Sequence, residues 1–329
     1  MATEQVSLPL PVPDQAYMHV SALEAGTVHL PIDTIIAGAK PQIVSCPSLA
    51  FLLRHSKTRF QIVFDLGARR DFEAYPPTMQ KRLRTLGISA AVSQTVVESL
   101  AKGGVTPNEV DTVILSHLHW DQCVSQPDCI PTLTRAALAT TRRSQERRSL
   151  SARAAATSCA PATPHTPTAT FPRRLSRVSA HGSCPRRRWR RSGRTHTRST
   201  CLATGVCTLS TRQVRNPSAR RTAAERGTGH VAGHINVLAR TSAHTWILLA
   251  GDSAHDPRIV AGEAAFACAV DAAGIERCII HADKDVAEQN LGRIRALCRA
   301  NVQVLIAHDA PWSAANKDAF LPGVIAPLA

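Results

Sequence analysis

The sequence has no apolar run long enough to span a bilayer, so nothing in it reads as a membrane helix. Residues 1–14 lack the basic start and apolar centre of a secretory signal, and carry Glu4, Asp14 and several prolines instead. A cytoplasmic location is therefore expected. None of the ten cysteines forms a C-x-x-C pair, which argues against a zinc ribbon or a thioredoxin-type site. Scattered in this way, they are expected to act mostly as small buried apolar residues. Lysine is missing altogether from residues 132–228, where 21 arginines stand against two acids, Glu146 and Glu225. That one stretch carries the basicity behind the formal charge of +15, and the rest of the 329 residues are mildly acidic. A charge of that size suggests a nucleic-acid binder, but its confinement to one segment argues against that reading for the remainder.

Residues 132–228 also have few aromatic and large aliphatic side chains, and no apolar period of 2 or 3.6 persists. Such a stretch buries too little apolar surface to offset its ordering entropy, so low order is expected there. It reads as an Arg-rich insert, or as coding sequence translated in the wrong frame or through an unspliced intron. The run Pro-Arg-Arg-Arg-Trp-Arg-Arg at 185–191 keeps a nucleic-acid patch as a further alternative.

The flanking regions have the texture of ordered α/β sequence. Short strands are expected at 19–23, 27–30, 48–53, 60–64 and 110–115. Helical spacing marks 77–86 and 93–102, with Ser93 as N-cap of the second and Gly103-Gly104 as its stop. Further on, strands are expected at 235–239, 246–250, 278–281 and 302–307. Helices are expected at 256–263 and 283–300, the latter with Val286, Leu291, Ile294, Leu297 and Cys298 on its apolar side.

Several of these strands end in metal-binding residue types. Val113-Ile114-Leu115 runs into Ser116-His117-Leu118-His119-Trp120-Asp121. In extended chain, residues i and i+2 point the same way, so His117 and His119 can meet on one ion and Asp121 can reach an adjacent one. Imidazole and carboxylate together suit Zn²⁺, and also Mn²⁺ or Fe²⁺. The bland alternative is two unrelated histidines at a strand end, which the following Asp121 makes less apt. A surface position is the bland alternative for His255, and His281 is either a residue supporting the metal site from behind or a capping residue, the second being preferred.

In these residues the chain resembles the metallo-β-lactamase superfamily, whose signature is H-x-H-x-D-H after a strand. Gly229-His230-Val231-Ala232-Gly233-His234 looks like its P-G-H-x-x-G-H motif. Leu249-Ala250-Gly251-Asp252 looks like its strand-end G-D, and Ile306-Ala307-His308-Asp309 like its last histidine motif. The closest likeness is to the lactonase-like branch that includes N-acyl-homoserine lactonases and fungal relatives. The resemblance implies an αββα sandwich of two mixed sheets with outer helices. Residues 1–131 and 229–329 would be the two halves of that domain. It implies one or two zinc ions. The first is held by His117, His119, His230 and a shared Asp252, the second by Asp121, Asp252 and His308. His234 and Asp65 would support the site without binding metal. One position departs from the pattern: Gln122 stands where the family has a second-site histidine, which leaves that site weak or empty. The implied activity is hydrolysis of a small cyclic ester or amide by hydroxide formed at the metal, with Asp121 handling the proton and His255 contacting the substrate carbonyl. The alternative is a catalytically impaired relic of the same fold. No membrane partner is expected.

Overall fold

The computed structural model describes residues 6, 8–122, 196–201, 206–212 and 228–328. The chain divides into one unit of Met1–Leu138 with Arg194–Ala329, and a second of Ala139–Gly193 that lies outside the described residues. The basic run at 185–191 falls in that second unit.

The first unit opens with a mixed sheet of β1 (Met18–Pro31), β2 (Ile43–His55), β3 (Gln61–Phe64), β4 (Ser89–Ala91) and β5 (Thr112–Ile114), in the order β4-β1-β2-β3-β5. All its pairings are antiparallel except β3 with β5. A second mixed sheet contains β6 (His196–Cys201), β7 (Val206–Arg212), β8 (Asn236–Arg240) and β9 (Trp246–Leu249). After a hairpin of β10 (Cys268–Val270) and β11 (Glu276–Cys278) it gains β12 (Val302–Leu305). There β9 and β12 are the parallel pair.

Alternation along the strands explains the layering. Leu49, Phe51 and Leu53 of β2 and Ile62 and Phe64 of β3 point inward, where they meet Val237, Ala239, Ile247 and Leu249 of the opposite sheet. Residues in between point outward: Ala50, Leu52 and Val63 pack with Val96 and Leu100 of α2 (Val96–Lys102). On the other side, Leu238, Trp246 and Leu248 pack with Ala287, Leu291, Ile294 and Leu297 of the long amphipathic helix over Lys284–Arg299. Sheets covered on both faces need apolar residues at consecutive positions, which is why β2, β8 and β9 read as nearly continuous apolar runs. The result is the expected αββα sandwich. The remaining helices are short: α1 is Pro77–Thr85, α3 is Pro257–Ala261 and α5 is Ala310–Ala315, the Lys284–Arg299 helix being α4. Among the described residues, no helix is long and apolar enough to cross a membrane.

Several local expectations change. The strands expected at 19–23 and 27–30 are one strand, β1, with a register shift between Glu24 and Thr27. The N-cap of α2 is Thr95, two residues after Ser93: its hydroxyl accepts from Glu98 N at 3.3 Å, while the Glu98 carboxylate accepts from Thr95 N at 2.8 Å. That reciprocal pair satisfies two backbone donors that Ser93 is too distant to reach. The strand expected at 278–281 ends at Cys278, leaving His281 in the following loop. Cys298 is exposed, on the outer edge of α4. Cys268 and Cys278 pair across β10 and β11, with their sulfurs 3.5 Å apart. Low order was expected throughout 132–228, yet β6 and β7 lie within it and pair with each other and with β8. Their Thr, Val and Ser content suits extended backbone. Without β7, β8 would be an edge with unpaired backbone groups, and that edge recruits them.

Candidate metal centre

The two parallel pairs fix the location of the site. Because β3 runs with β5 and β9 with β12, all four carboxyl ends emerge on one edge, where open α/β sheets place their ligands. Asp65 follows β3, His117 to Asp121 follow β5, Asp252 and His255 follow β9, and His308 follows β12. Backbone bonds tie these ends together: Asp65 N donates to Ile114 O at 2.9 Å, Ala250 N to Leu305 O at 2.8 Å, and Ala307 N to Gly251 O at 3.0 Å. His230 arrives on the loop before β8, where Ile235 N donates to Ser116 O at 2.9 Å.

Two glycines permit the close approach. Gly251 has φ +48°, and a Cβ there would come within 2.9 Å of both His234 Nε2 and Ser116 Cβ. Gly229 has φ +93°, and a Cβ there would lie 2.2 Å from Ala287 N of α4. Both positions need the left-handed backbone that glycine adopts without penalty, and both need the missing side chain.

The strand-end alternation is seen directly: His117 is buried, Leu118 is exposed, and His119 is half-buried. His117, His119, His230 and Asp252 each offer a ligand atom, all within 4.8 Å of one another. His117 Nε2 and His230 Nε2 lie 3.4 Å from Asp252 Oδ2, and His255 Nε2 lies 3.3 Å from it. His230 Nε2 is 3.0 Å from His119 Nδ1. On the other side, His308 Nε2 is 3.5 Å from Asp252 Oδ1 and 3.5 Å from Asp121 Oδ2. Gln122 fills the space beside them, its Nε2 donating to Asp252 Oδ1 at 3.1 Å.

These spacings fit a cation. Ligands bound tetrahedrally at about 2.05 Å lie about 3.3 Å apart along a tetrahedron edge. The donor–donor distances cluster around that value and are long for charge-assisted hydrogen bonds. His308 Nδ1 lies 2.9 Å from the Pro47 carbonyl, which can only accept, so Nδ1 carries a proton and Nε2 is the atom turned to the Asp121 and Asp252 carboxylates. Two buried carboxylates side by side call for positive charge among them, which a bound cation or protons on the facing rings would supply.

The surroundings hold these groups in place. Ser116 Oγ lies 2.9 Å from His117 Nδ1, and Ser116 N donates to Asp65 Oδ1 at 2.7 Å. Ser48 Oγ donates to the Asp121 carbonyl at 2.7 Å, and Tyr75 OH to the Trp120 carbonyl at 2.7 Å. His234 Nε2 accepts a hydrogen bond from Asp252 N (3.0 Å), so its Nδ1–H donates to Thr228 Oγ1 (2.8 Å). Both its nitrogens are used, which makes it a brace for the Asp252 turn. His234 and Asp65, for which supporting roles are expected, make their hydrogen bonds to the Asp252 turn and to Ser116 N.

Burial opposes the charge of His117 and His308, but Asp252 holds His117 above and His308 well above the ordinary histidine range. Elsewhere burial prevails. It pushes Asp65 up to about 7, against the nearby His117 and the bond from Ser116 N. It holds His119 down to about 4 and His281 down to about 3, helped in each case by a neighbouring histidine. Burial likewise keeps His230 and His234 well below the ordinary histidine range. Asp252 goes the other way: burial opposes its charge, but His117, His255 and His308 hold its carboxyl well below the usual range. Asp121 is raised by burial and by Asp252.

All six residues expected to bind metal, and His255, thus meet in one place. His281 is the residue that sequence reasoning left aside. It is buried, lies against Phe266 with ring centroids 4.2 Å apart, and has no partner on either nitrogen. Its ring is 5.1 Å from that of His230 and 5.5 Å from that of His255. Its place just beyond a strand was the available signal. A cleft of about 860 Å³ opens over these groups, with His119, His255, His281 and His308 on its polar side and Leu30, Ile35, Met79 and Leu83 among its apolar lining.

No family model matches the chain. A gamma-lactamase of Fusarium pseudograminearum, FDB1, is 30% identical over 107 residues, which is 31% of this chain and 25% of that protein. A gamma-lactamase of Gibberella moniliformis, MBL2, is 34% identical over 73 residues, 22% of this chain and 30% of that protein. The matches therefore span under a third of the length of these curated relatives. Among solved structures, the chain is similar to B. thuringiensis AiiA with N-decanoyl-L-homoserine bound at its active site. The TM-score is 0.54 at 14% identity, covering 94% of this chain and 100% of that one. An N-acyl homoserine lactone hydrolase with N-hexanoyl-L-homoserine at its catalytic metal centre gives 0.53 at 14% identity, with the same coverage of 94% and 100%. At that identity the likeness is one of architecture: the chain has the α/β fold of the metallo-β-lactamases, in the form that these lactone hydrolases share.

Proposed function

We propose that this chain is a metal-dependent hydrolase that opens a small cyclic ester or amide. The observation that carries the reading is the convergence of His117, His119, His230 and Asp252, with ligand atoms all within 4.8 Å. These four would hold a first divalent ion, with zinc the best chemical match for three imidazoles and a carboxylate. Asp121 and His308 would face a second ion across Asp252. When bound, such ions polarise a carbonyl and acidify water.

The chain's own residues supply the rest. Asp252 presents one oxygen to His117, His230 and His255 and the other to His308, so a single carboxylate organises both halves. Asp121, held by Ser48 at its carbonyl, places a carboxylate beside His308. There it would accept a proton from the attacking water and return it to the leaving oxygen or nitrogen. The apolar lining from Leu30, Ile35, Met79 and Leu83 would receive the ring or an attached chain and keep bulk water out. The gamma-lactamase names of the partial relatives support a cyclic amide, and the lactone hydrolases of like fold support a cyclic ester.

Metal-stripped protein titrated with Zn²⁺ tests this. Ion uptake and hydrolysis of a γ-lactam or γ-lactone are expected in the wild type, with both sharply reduced in His119→Ala. A wild type that takes up no ion, with His119→Ala indistinguishable from it, would end the proposal. A second reading, an impaired relic, is favoured by Gln122 at the family's histidine position. Gln122→His separates the two: gained turnover supports a damaged enzyme, continued silence a relic.

A further inference from the structure

We propose that His255 completes a second metal site, replacing the ligand lost at Gln122, so that Asp121, Asp252, His255 and His308 hold a second divalent ion. The inference rests on the reading of the site as a metal centre and gives His255 a ligand's role in place of contact with the substrate carbonyl.

Gln122 turns its amide nitrogen to the shared carboxylate: Nε2 donates a hydrogen bond to Asp252 Oδ1, and Oε1 is buried without a hydrogen-bond partner. A neutral amide oxygen is a poorer ligand for zinc than an imidazole nitrogen. The ligand is replaced from across the cleft. Asp252, His255 and His308 form a group of their own, with one ligand atom from each within 4.8 Å of the others. The His255 and His308 rings stack 5.2 Å apart at 23°, so both rings stand side by side at the Asp252 carboxylate. His255 Nε2 approaches Asp252 Oδ2 to 3.3 Å, and His308 Nε2 approaches Oδ1 and Asp121 Oδ2 to 3.5 Å.

The comparison of His255 with His234 is decisive for its role. His234 spends one nitrogen on Thr228 and the other on Asp252 N, so it is a structural brace. His255 has a largely buried side chain whose Nδ1 has no hydrogen-bond partner, and its Nε2 lies 3.3 Å from Asp252 Oδ2, with the rings of His230, His281 and His308 around it. A ring with no structural hydrogen bond, held against a buried carboxylate, is free to ligate. The first ion does not need it, since His117, His119, His230 and Asp252 already provide four donors. One other set competes for His255, namely His230, His255 and His281, which also lie within 4.8 Å. It lacks a carboxylate and borrows His230 from the first site, so it leaves the charge of Asp121 unmatched.

Metal-free protein is loaded with Zn²⁺, freed of excess ion, and assayed for zinc per chain by mass spectrometry, with Co²⁺ absorption as a second readout. Two ions are expected in the wild type and in His281→Ala, and one in His255→Ala and in His308→Ala. The double variant Gln122→His/His255→Ala should regain the second ion. If His255→Ala fails to fold, His255→Phe keeps the ring and removes both nitrogens, and one ion is again expected. One ion in the wild type, two in the His255 variants, or loss of the second ion in His281→Ala would each overturn the assignment. No ion in the wild type would instead overturn the metal centre itself.

Discussion

The two halves of the site are built to different standards. Around His117, His119 and His230, side chains hold the donors from behind: Ser116 on His117, Asp65 on Ser116, and His234 on the Asp252 turn. Around Asp121 and His308 the braces use backbone carbonyls: Pro47 O fixes His308, and the Asp121 carbonyl is fixed by Ser48. The second half also contains Gln122, which shares Asp252 with its neighbours as a hydrogen-bond donor. The lesson is that a substitution in one half need not disturb the other. Asp252 faces both, giving one carboxylate oxygen to His117 and His230 and the other to His308.

That asymmetry orders the expected effects. Asp252→Ala should be the largest, since it removes the carboxylate that serves both halves. Metal content should fall below one ion per chain and turnover should fall by more than about 100-fold, the upper range seen when only an outer partner of a ligand is lost. Metal analysis alongside turnover checks it, and retention of one tightly held ion would break the claim that Asp252 is shared. Ser116→Ala should weaken the first ion about 10–100-fold and leave the second unchanged, because it removes only the hydroxyl behind His117. Competition with a chelator reads this directly, and equal weakening of both ions would erase the distinction between the halves.

Gly251→Ala should act on stability. The left-handed backbone and the contacts at 2.9 Å with His234 and Ser116 predict a loss of about 1–3 kcal/mol in denaturant melts. No loss would mean that the β9 end is less tightly packed against the His117 loop than described. The smallest effect belongs to Thr95→Ala, remote from the site, at about 1 kcal/mol with unchanged metal content. Its partner Glu98 adds a pH signature. Arg70, and then Thr95, hold the Glu98 carboxylate down from 4.5 to about 2. A depressed carboxylate stabilises the fold fully above 4.5 and loses that contribution as pH falls toward 2. The wild type should therefore lose more stability over that window than Glu98→Gln does, as read by melting temperature against pH.

Much of this was legible in the sequence because the chemistry sits at strand ends. Apolar runs announce β5, β9 and β12, and the residues that follow them, His117, Asp252 and His308, are of ligand type. Alternation alone puts His117 and His119 on one side. What the sequence could not carry was decided by tertiary approach. His281 reads as the last residue of a strand, but β11 ends at Cys278 and leaves it in the loop, with its ring beside those of His230 and His255. Pro47 and Ser48 show no pattern at all, since one acts through its carbonyl and the other through a bond to residue 121. The strands β6 and β7 were hidden by arginine-rich composition, because the partner that orders them, β8, lies outside their own segment. The spacing of His255 from Asp252 was visible, but not that its ring would stack on His308.

The most direct test of the central claim is the zinc X-ray absorption spectrum of the loaded wild-type protein. The account predicts nitrogen and oxygen neighbours at about 2.0–2.1 Å with the multiple scattering of several imidazole rings. A shell of oxygen alone, without imidazole scattering, would place the ion elsewhere and contradict a metal centre assembled from His117, His119, His230 and Asp252.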